Sequence, residues 1–334
     1  NDMQKELWEK IKNILKNNKL SILLLLLLLF LITFEFPYTI SKTGGTINLS
    51  SRIESENKDI ESGNFNMTYV SEVPATLFNL FIASINPNWD IEKQIDSQES
   101  VEEQQFRGKI SLQESIHNAI KIAYQTAGIS IQEKDNKLYI TYIYPEAKTN
   151  LKVGDQIIKM NDIDIQSKND IQQLLSNLEV NSKISLEIIR NKKTYQKEAT
   201  IQNIQDKKII GIVVSEVSEL VLDPNITIQF KKTEFGASGG LMMSLAIYDN
   251  ITGFDLSKGR KIAGTGTIDS NGIVGQIDGI KYKLRGAVKA KMDIFLVPAG
   301  ENYNQAIEEK KKNNYNIEIV PIKNLEEAIT YLKK

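Results

Sequence analysis

The carboxyl-terminal half of the chain contains the turn GASGG (236–240), and the apolar run LMMSLAIY (241–248) follows it at once. This pattern predicts a tight turn of small residues that leads into a buried helix. Glycine leaves room for a substrate to approach the Ser238 hydroxyl, and the start of a helix favours the negative charge of an oxyanion. Such turns also occur as plain packing devices, so the turn alone does not establish catalysis.

A serine nucleophile needs a base, and the composition limits the choice of that base. The chain has one histidine, His117, and no cysteine. The lack of cysteine excludes a thiol nucleophile and a cysteine zinc site, while a single histidine excludes an HExxH motif. His117 lies on a predicted amphipathic helix and receives no catalytic role. A serine enzyme built from this sequence therefore needs lysine as its base, with a pKa lowered by burial.

Two lysines on one predicted helix are candidates for this base. Asp278 is a suitable N-cap for the helix. The apolar face of the helix consists of Ile280, Leu284, Ala287 and Val288. Lys283 borders this face on one side and Lys281 on the other, so the spacing favours Lys283 only slightly. Two solvated lysines are the alternative that the pattern leaves open.

Five motifs follow one another in this part of the chain. They are LDPNITI (222–228), FGASGGLM (235–242), DLSKGRKIAGTGTI (255–268), the glycine-punctuated segment 272–279 and KYK (281–283). Together they make residues 209–334 resemble the proteolytic domain of Lon-type serine proteases, in particular the membrane-anchored bacterial PDZ-containing Lon-like proteases that lack the ATPase module. The resemblance implies that Ser238 is the nucleophile, that Lys283 is the base, and that Thr265 contacts this lysine.

Three positions depart from the family pattern. Ala237 and Gly239 replace the proline and alanine of the family turn, and Asp278 replaces the first glycine of the lysine element. The turn keeps its small residues, and neither the nucleophile nor the base is lost. We therefore expect an active site in which backbone N–H groups of the turn at Gly236, Ala237 and Gly239 hold the oxyanion.

Composition and missing motifs narrow the range of partners. The 41 Lys+Arg against 42 Asp+Glu give a formal net charge of −1, which does not indicate a nucleic-acid partner. The chain has no GxxxxGKS/T phosphate loop, so we expect no ATP-driven unfolding. The predicted mechanism needs no metal or cofactor.

The amino-terminal residues predict a membrane anchor. Residues 1–19 are polar and rich in lysine, and residues 20–34 are almost entirely apolar. The apolar run covers roughly 22 Å as a helix, so flanking residues must complete a span of about 30 Å. We predict a retained single-pass anchor over residues 20–38, with a cytoplasmic tail and all later residues outside the cell. A cleaved signal peptide is the alternative, and the bulky residues 33–38 disfavour it.

The middle of the chain predicts a peptide-binding module. Residues 39–110 form a β-rich extracellular segment, which the resemblance implies is part of the protease domain. Ser111 and Glu114 form a capping box that predicts the start of a helix. This helix leads a PDZ domain over residues 111–203, because LKVGDQIIKMN (151–161) is similar to the turn and strand of PDZ domains. PDZ domains bind extended peptides by strand addition, and a mere spacer is the alternative.

The predicted fold class is therefore α+β. It comprises an N-terminal transmembrane helix, a β-rich PDZ domain with two helices, and a Lon-type α/β proteolytic domain over residues 204–334. The predicted function is that of an ATP-independent, membrane-anchored serine endopeptidase that cleaves extracellular peptides or flexible protein segments. A non-enzymatic PDZ adaptor on an inactive protease shell and a different Ser-Lys hydrolase are the alternatives. Assembly into a homo-oligomer is left open.

Overall fold

The computed structural model describes residues 2–55, 64–93, 99–204 and 207–334. The chain divides into two compact units. The amino-terminal unit comprises residues 1–43 and 70–96, and the main unit comprises residues 44–69 and 97–334.

The described residues form helices and strands throughout the chain. The helices are α1 (Asp2–Asn17), α2 (Lys19–Thr33), α3 (Leu77–Ile85), α4 (Val101–Thr126), α5 (Lys168–Ser176), α6 (Gly240–Thr252), α7 (Ile280–Lys289), α8 (Glu301–Asn313) and α9 (Leu325–Lys333). The strands are β1 (Glu35–Asn48), β2 (Ile53–Ser55), β3 (Phe65–Thr76), β4 (Asp90–Lys93), β5 (Gln132–Ile143), β6 (Gln156–Met160), β7 (Ile163–Asp164), β8 (Lys183–Arg190), β9 (Lys193–Thr200), β10 (Gln202–Ile204), β11 (Lys207–Ile209), β12 (Ile212–Val221), β13 (Ile226–Ile228), β14 (Ile262–Gly264), β15 (Thr267–Ile268), β16 (Val274–Gly275), β17 (Ile294–Pro298) and β18 (Glu318–Ile322).

The amino-terminal unit has a small core of its own. Strand β1 pairs with β4 in antiparallel fashion, with Ile40 opposite Ile91. Ile40 is buried against Ala75 and Ala83 of the same unit. Strand β1 begins in this unit and ends in the main unit, whereas β3 begins in the main unit and ends in this one.

The apolar helix α2 is shorter than the predicted membrane anchor. It ends at Thr33, and β1 starts at Glu35, so the last residues of the predicted span are strand. No single described helix has the length and apolar character that a membrane crossing needs, although α1 and α2 meet this requirement together as a pair bent by 81°. Membrane anchoring stays a prediction.

A parallel sheet forms the centre of the carboxyl-terminal part of the main unit. Strand β14 pairs with the start of β3 on one side and with β17 on the other, and β17 pairs with β18. Parallel sheets are covered on both faces, and successive side chains of a strand point to opposite faces. Accordingly, Ile294 and Leu296 of β17 lie in the core around α6, while Phe295 lies in the core around α7 and α8.

Helix α6 is buried along most of its length, from Gly240 to Asn250. A helix that is apolar all round requires burial on every side. The sheet supplies one side, and α4 supplies another through Ala119 and Ala123, which share the core of α6. The buried helix that the apolar run predicts after the turn is therefore present.

The start predicted for the leading helix is wrong. Helix α4 begins at Val101 and not near Ser111, because the Ser100 hydroxyl accepts a hydrogen bond from the Glu103 N–H and the Glu103 carboxylate accepts one from the Ser100 N–H. Residues 101–110 are helical as well, so Ser111 and Glu114 lie inside the helix. The predicted boundary at residue 111 therefore divides a continuous helix. The other domain boundaries stay predictions, and residues 56–63, 94–98 and 205–206 within those ranges lie outside the described residues.

The middle of the main unit is an antiparallel sheet with the strand order β12-β5-β6-β8-β9. The segment LKVGDQIIKMN (151–161), which is similar to a PDZ turn and strand, contains β6 of this sheet. Helix α5 is capped by Ser167, whose hydroxyl accepts from the Asp170 N–H, while the Asp170 carboxylate accepts from the Ser167 N–H. The Asp155 carboxylate is fully buried and accepts two hydrogen bonds from the Arg190 guanidinium, at 2.6 and 2.8 Å. A buried charge needs such a partner, which explains the aspartate of the PDZ-like turn.

Candidate active site

The turn that carries Ser238 is built for small residues. Helix α6 has Gly239 as its N-cap, and the half-buried Ser238 immediately precedes it. Gly236 has φ +90°, a left-handed conformation that glycine adopts at low cost. A Cβ on Gly240 would lie 2.7 Å from the backbone nitrogen of Ile268, so no side chain fits there. The sequence thus forms this turn because both its conformation and its packing exclude larger residues.

The connection after β14 holds the turn from one side. The Ser238 carbonyl accepts hydrogen bonds from the Gly266 N–H at 2.8 Å and from the Thr265 hydroxyl at 3.1 Å. The Leu241 N–H donates in return to the Gly266 carbonyl at 3.1 Å. Thr265 is fully buried. The resemblance implies a contact between Thr265 and the lysine, but among the described residues the hydroxyl donates to the backbone of the nucleophile.

Helix α4 holds the same turn from the other side. The Ser115 hydroxyl donates to the Ala237 carbonyl at 3.1 Å, and the Gly236 N–H donates to the Gly108 carbonyl at 3.1 Å. Sequence reasoning missed Ser115 and Gly108. Neither residue belongs to a local motif, and each lies more than a hundred positions upstream, so no pattern in a single sequence identifies them.

Three backbone N–H groups of the turn have no acceptor within the part of the chain that the structure describes. They belong to Ala237, Ser238 and Gly239, whereas the N–H of Gly236, which we also expected to hold the oxyanion, donates to the Gly108 carbonyl. Unpaired N–H groups at the start of a helix favour a bound negative charge. This arrangement is suited to an oxyanion beside the serine.

The two candidate lysines differ in burial. Lys283 lies on the buried side of α7 with 4 % of its surface exposed, whereas Lys281 is half-buried with its amine 5.0 Å from the Tyr282 ring centroid. Burial lowers the pKa of Lys283 to about 8, and the charge of Asp278 opposes this shift. A lysine with such a pKa is partly neutral near physiological pH and can accept a proton.

The helix that carries Lys283 does not use Asp278 as its cap. Gly279 is the N-cap, with φ 75°, and no side chain bonds the helix start. The prediction that Asp278 caps this helix is therefore wrong. The left-handed conformation at Gly279 decides where the helix begins, and the exposed Asp278 carboxylate acts on Lys283 only through its charge.

No hydrogen bond joins Ser238 to Lys283 among the described residues. Within the described ranges, neither the Ser238 hydroxyl nor the Lys283 amine makes a hydrogen bond or an ion pair. Catalytic hydrogen bonds are often long or poorly aligned without a substrate and shorten when it binds. The site therefore consists of a fixed turn, free N–H groups and a buried amine without an anionic partner.

The single histidine takes part in a separate cluster. His117 Nε2 and the Ser218 hydroxyl are 2.7 Å apart, and Glu133 lies 3.6 Å from the same nitrogen. A catalytic triad uses the two ring nitrogens for different partners. Here both partners meet one nitrogen, which indicates a structural link between α4 and β12. The described residues also contain no group of three side chains that could hold a metal ion.

Two family models match the chain. Residues 126–201 match the model of the PDZ domain, and residues 232–333 match the model of the Lon protease (S16) C-terminal proteolytic domain. Ser238, Thr265 and Lys283 all lie within the second match. A comparison with curated proteins found no match.

Three solved structures are each similar to about a quarter of this chain. The PDZ domain of the SdrC-like protein from Listeria monocytogenes is 15 % identical, with 25 % of this chain and 92 % of that chain covered and a TM-score of 0.23. A solution structure from Geobacillus thermodenitrificans is 16 % identical, with 23 % and 94 % covered and a TM-score of 0.22. The PDZ domain of the SdrC-like protein from Listeria innocua is 15 % identical, with 23 % and 92 % covered and a TM-score of 0.22.

The two family matches agree with the antiparallel sheet in the middle of the main unit and with the parallel sheet that follows it. The α+β class is confirmed by the mixture of helices and strands in both matched regions. The chain carries a PDZ domain followed by a Lon-type C-terminal proteolytic domain, which supports a PDZ-containing Lon-like protease.

Proposed function

We propose that the protein is an ATP-independent serine endopeptidase with Ser238 as nucleophile and Lys283 as base. The observation that carries this proposal is the burial of Lys283 without an anionic partner, inside a Lon-type proteolytic domain that also holds Ser238. A buried ammonium is costly, and a pKa displaced toward neutrality is typical of a catalytic base.

The reaction begins with the neutral amine of Lys283. With a pKa of about 8, roughly a tenth of the molecules carry this neutral form at pH 7. The amine takes the proton of the Ser238 hydroxyl, whose oxygen attacks the peptide carbonyl, and the lysine then gives the proton to the leaving amine. Water hydrolyses the resulting acyl-enzyme. The free N–H groups of the turn stabilise the oxyanion, and Thr265 positions the Ser238 backbone.

The PDZ domain captures the polypeptide substrate in this proposal. Strand β12 pairs with β5 along one side, and within the described residues no strand pairs with its other side. Helix α5 lies beside β12, where the Lys168 N–H donates to the Glu216 carboxylate at 3.2 Å. An edge strand next to a helix is the setting in which PDZ domains add a peptide strand. Because β12 leads into β13 and then the Ser238 turn, capture and cleavage are joined along the chain.

The membrane part of the proposal rests on α2. All of its residues lie outside the protein core, and lysines dominate the charges before it. We propose that residues 20–38 anchor the chain in the cell membrane, with the amino terminus cytoplasmic and both folded domains outside. External protease added to intact cells would degrade these domains. Protection of the domains in intact cells, with degradation only after lysis, would contradict this orientation.

A serine-reactive fluorophosphonate probe and an unfolded model protein test the enzymatic part together. Wild type should bind the probe covalently and cleave the model protein, and Ser238→Ala should lose both. Lys283→Ala should lose cleavage, whereas the neighbouring Lys281→Ala should keep it, because Lys281 is not in the buried position. Cleavage that survives in Ser238→Ala would contradict the assignment. Peptide binding by wild type with no probe labelling would instead favour the non-enzymatic adaptor.

A further inference from the structure

Helix α3 of the amino-terminal unit exposes an apolar stripe that the proposed function does not use. Phe78, Phe81 and Ile85 are 53 %, 62 % and 65 % exposed. Their spacing of three and four residues places them on one face of the helix. On the opposite face, Ala83 is buried and Leu80 packs on Ile40 and its neighbours. The inner face thus fixes the helix to the unit and leaves three large apolar side chains facing outward.

The segment of the chain that carries this stripe contains no charge. The sequence has no charged residue between Glu72 and Asp90. The polar side chains of Asn79 and Ser84 form hydrogen bonds with nearby backbone. Asn79 donates to the Pro74 carbonyl, and Ser84 donates to the Phe81 carbonyl. A contiguous exposed apolar patch of this kind marks a contact with a protein or a membrane.

The neighbour of α3 within the unit indicates which contact this is. Cα atoms of α2 and α3 approach within 8 Å, so the helix that carries the stripe adjoins an apolar helix. Helix α2 is itself exposed along its length, with no buried residue. Two exposed apolar helices are therefore neighbours in this unit, and a lipid layer that surrounds α2 also lies close to α3.

The short connection after α2 keeps the unit at the end of that helix. Only Phe34 separates α2 from β1, and one extended residue covers about 3.3 Å. The Phe34 ring stacks on Phe30 with ring centroids 4.9 Å apart and meets Phe36 edge-on at 5.1 Å. Aromatic rings are enriched at membrane interfaces. A unit joined this closely to a membrane helix has no linker that would let it move away from the lipid surface.

We propose that α3 is a second membrane contact, in which Phe78, Phe81 and Ile85 enter the interfacial layer of the leaflet next to the end of α2. This inference rests on the proposed anchor and extends it from one helix to a helix pair. In this arrangement α3 lies in the plane of the interface, as amphipathic helices of monotopic proteins do. The contact limits rotation of the amino-terminal unit about α2.

The absence of native cysteine makes a site-specific test direct. The full chain is reconstituted into phosphatidylcholine–phosphatidylglycerol vesicles with the environment-sensitive label NBD on one introduced cysteine. Phe81→Cys and Ile85→Cys report on α3, and Leu27→Cys reports on the anchor. Ile163→Cys is the matched control, because Ile163 is an apolar side chain that is 53 % exposed in the main unit. Vesicles with and without doxyl-labelled lipid give the quenching for each position.

We expect labels at positions 27, 81 and 85 to be blue-shifted and quenched by doxyl lipid to about half their intensity or less, and the label at 163 to be unaffected. Quenching at 27 but not at 81 and 85 would overturn the α3 contact and leave the anchor intact. No quenching at any of these positions would overturn the anchor and the inference together. Blue-shifted labels at 81 and 85 that doxyl lipid does not quench would mean that a second copy of the chain covers the stripe, which would also overturn the lipid contact.

Discussion

The PDZ domain and the proteolytic domain each contain a buried charged side chain, Asp155 and Lys283, whose surroundings are opposite in kind. In the PDZ domain the carboxylate of Asp155 is fully buried, and the Arg190 guanidinium bonds both of its oxygens. The hydrogen bonds to Asp155 raise the pKa of Arg190, so the guanidinium stays charged. In the proteolytic domain Lys283 is 4 % exposed and has no such partner, and burial lowers its pKa to about 8.

This difference distinguishes a charge that stabilises the fold from an amine that can take part in proton transfer. A buried ion pair with complete hydrogen bonds holds its neighbours in place but has no reason to exchange protons. A buried amine without a counter-ion is unstable as the charged form and readily gives up its proton. Removing the charge of Arg190 should therefore lower the stability of the protein. Removing the charge of Lys283 should instead raise its stability and lower its activity.

The largest effect is expected for Lys283→Met. This change removes the proposed base, so hydrolysis of a flexible substrate should fall by about a thousandfold or more. At pH 7 the variant should unfold at a higher temperature than wild type, because an apolar side chain of similar length replaces a desolvated ammonium. Activity assays and thermal melts at pH 7 measure the two effects. A lower melting temperature would mean that the lysine stabilises the fold through its charge, and the contrast with Asp155 would fail.

The next largest effect is expected for Arg190→Met. This change leaves the Asp155 carboxylate buried and unpaired, which should reduce the free energy of unfolding by about 3 kcal/mol. Lys183→Met is the matched control, since Lys183 and Glu198 form a pair on the same sheet whose side chains are 72 % and 60 % exposed. Exposed pairs contribute at most about 1 kcal/mol, so this variant should unfold nearly as wild type does. Urea denaturation measures both, and equal losses in the two variants would contradict a structural role for Asp155 and Arg190.

The buried lysine was only partly predictable from the sequence. The one-face spacing of Ile280, Leu284 and Ala287 places Lys283 at the edge of an apolar stripe, but it places Lys281 at the other edge. Burial distinguishes the two, and burial depends on α8 and on strands that are distant in sequence. The helix start was mispredicted for a related reason. Aspartate is a strong N-cap by type, but the conformation at Gly279 determines where this helix begins.

The turn at Ser238 was also only partly predictable from the sequence. Its small residues and the apolar run predict the turn and α6, because both features are local. The support from Ser115 of α4 arises only when distant segments pack together. The capping box of Ser111 and Glu114 failed because the same residue types also occur inside long helices, and the pair at Ser100 and Glu103 forms the cap that the structure uses.

A smaller effect is expected for Thr265→Val. This change tests whether Thr265 acts on Ser238, on Lys283 or on both. Thr265 donates to the Ser238 carbonyl, and the Gly266 N–H donates to the same oxygen. Loss of one of two bonds should shift the nucleophile slightly and lower kcat about tenfold, with little change in KM. Thr265→Ser keeps the donor and should restore most of the rate. If Thr265 also contacts the lysine, the midpoint of the pH profile will move in Thr265→Val. An unchanged midpoint would assign the residue to the serine alone.

The smallest effect is expected for Asp278→Asn, and it concerns the pH dependence of the buried lysine. The folded pKa of Lys283 is about 8 and the ordinary value is 10.5. Between these values the unfolded chain binds more protons than the folded one, so the contribution of Lys283 to stability rises with pH across this window. Activity should rise with pH toward the same midpoint near 8, because the neutral amine is the base.

The Asp278 charge raises the pKa of Lys283, so Asp278→Asn should move the acidic limb of the activity profile to lower pH. Asp278 is exposed, and high salt should reduce the difference between wild type and variant. A limb that moves to higher pH, or does not move at low salt, would show that another group sets the proton affinity of the site. In that case burial without a partner would no longer explain why the proteolytic domain keeps a reactive amine where the PDZ domain keeps an inert ion pair.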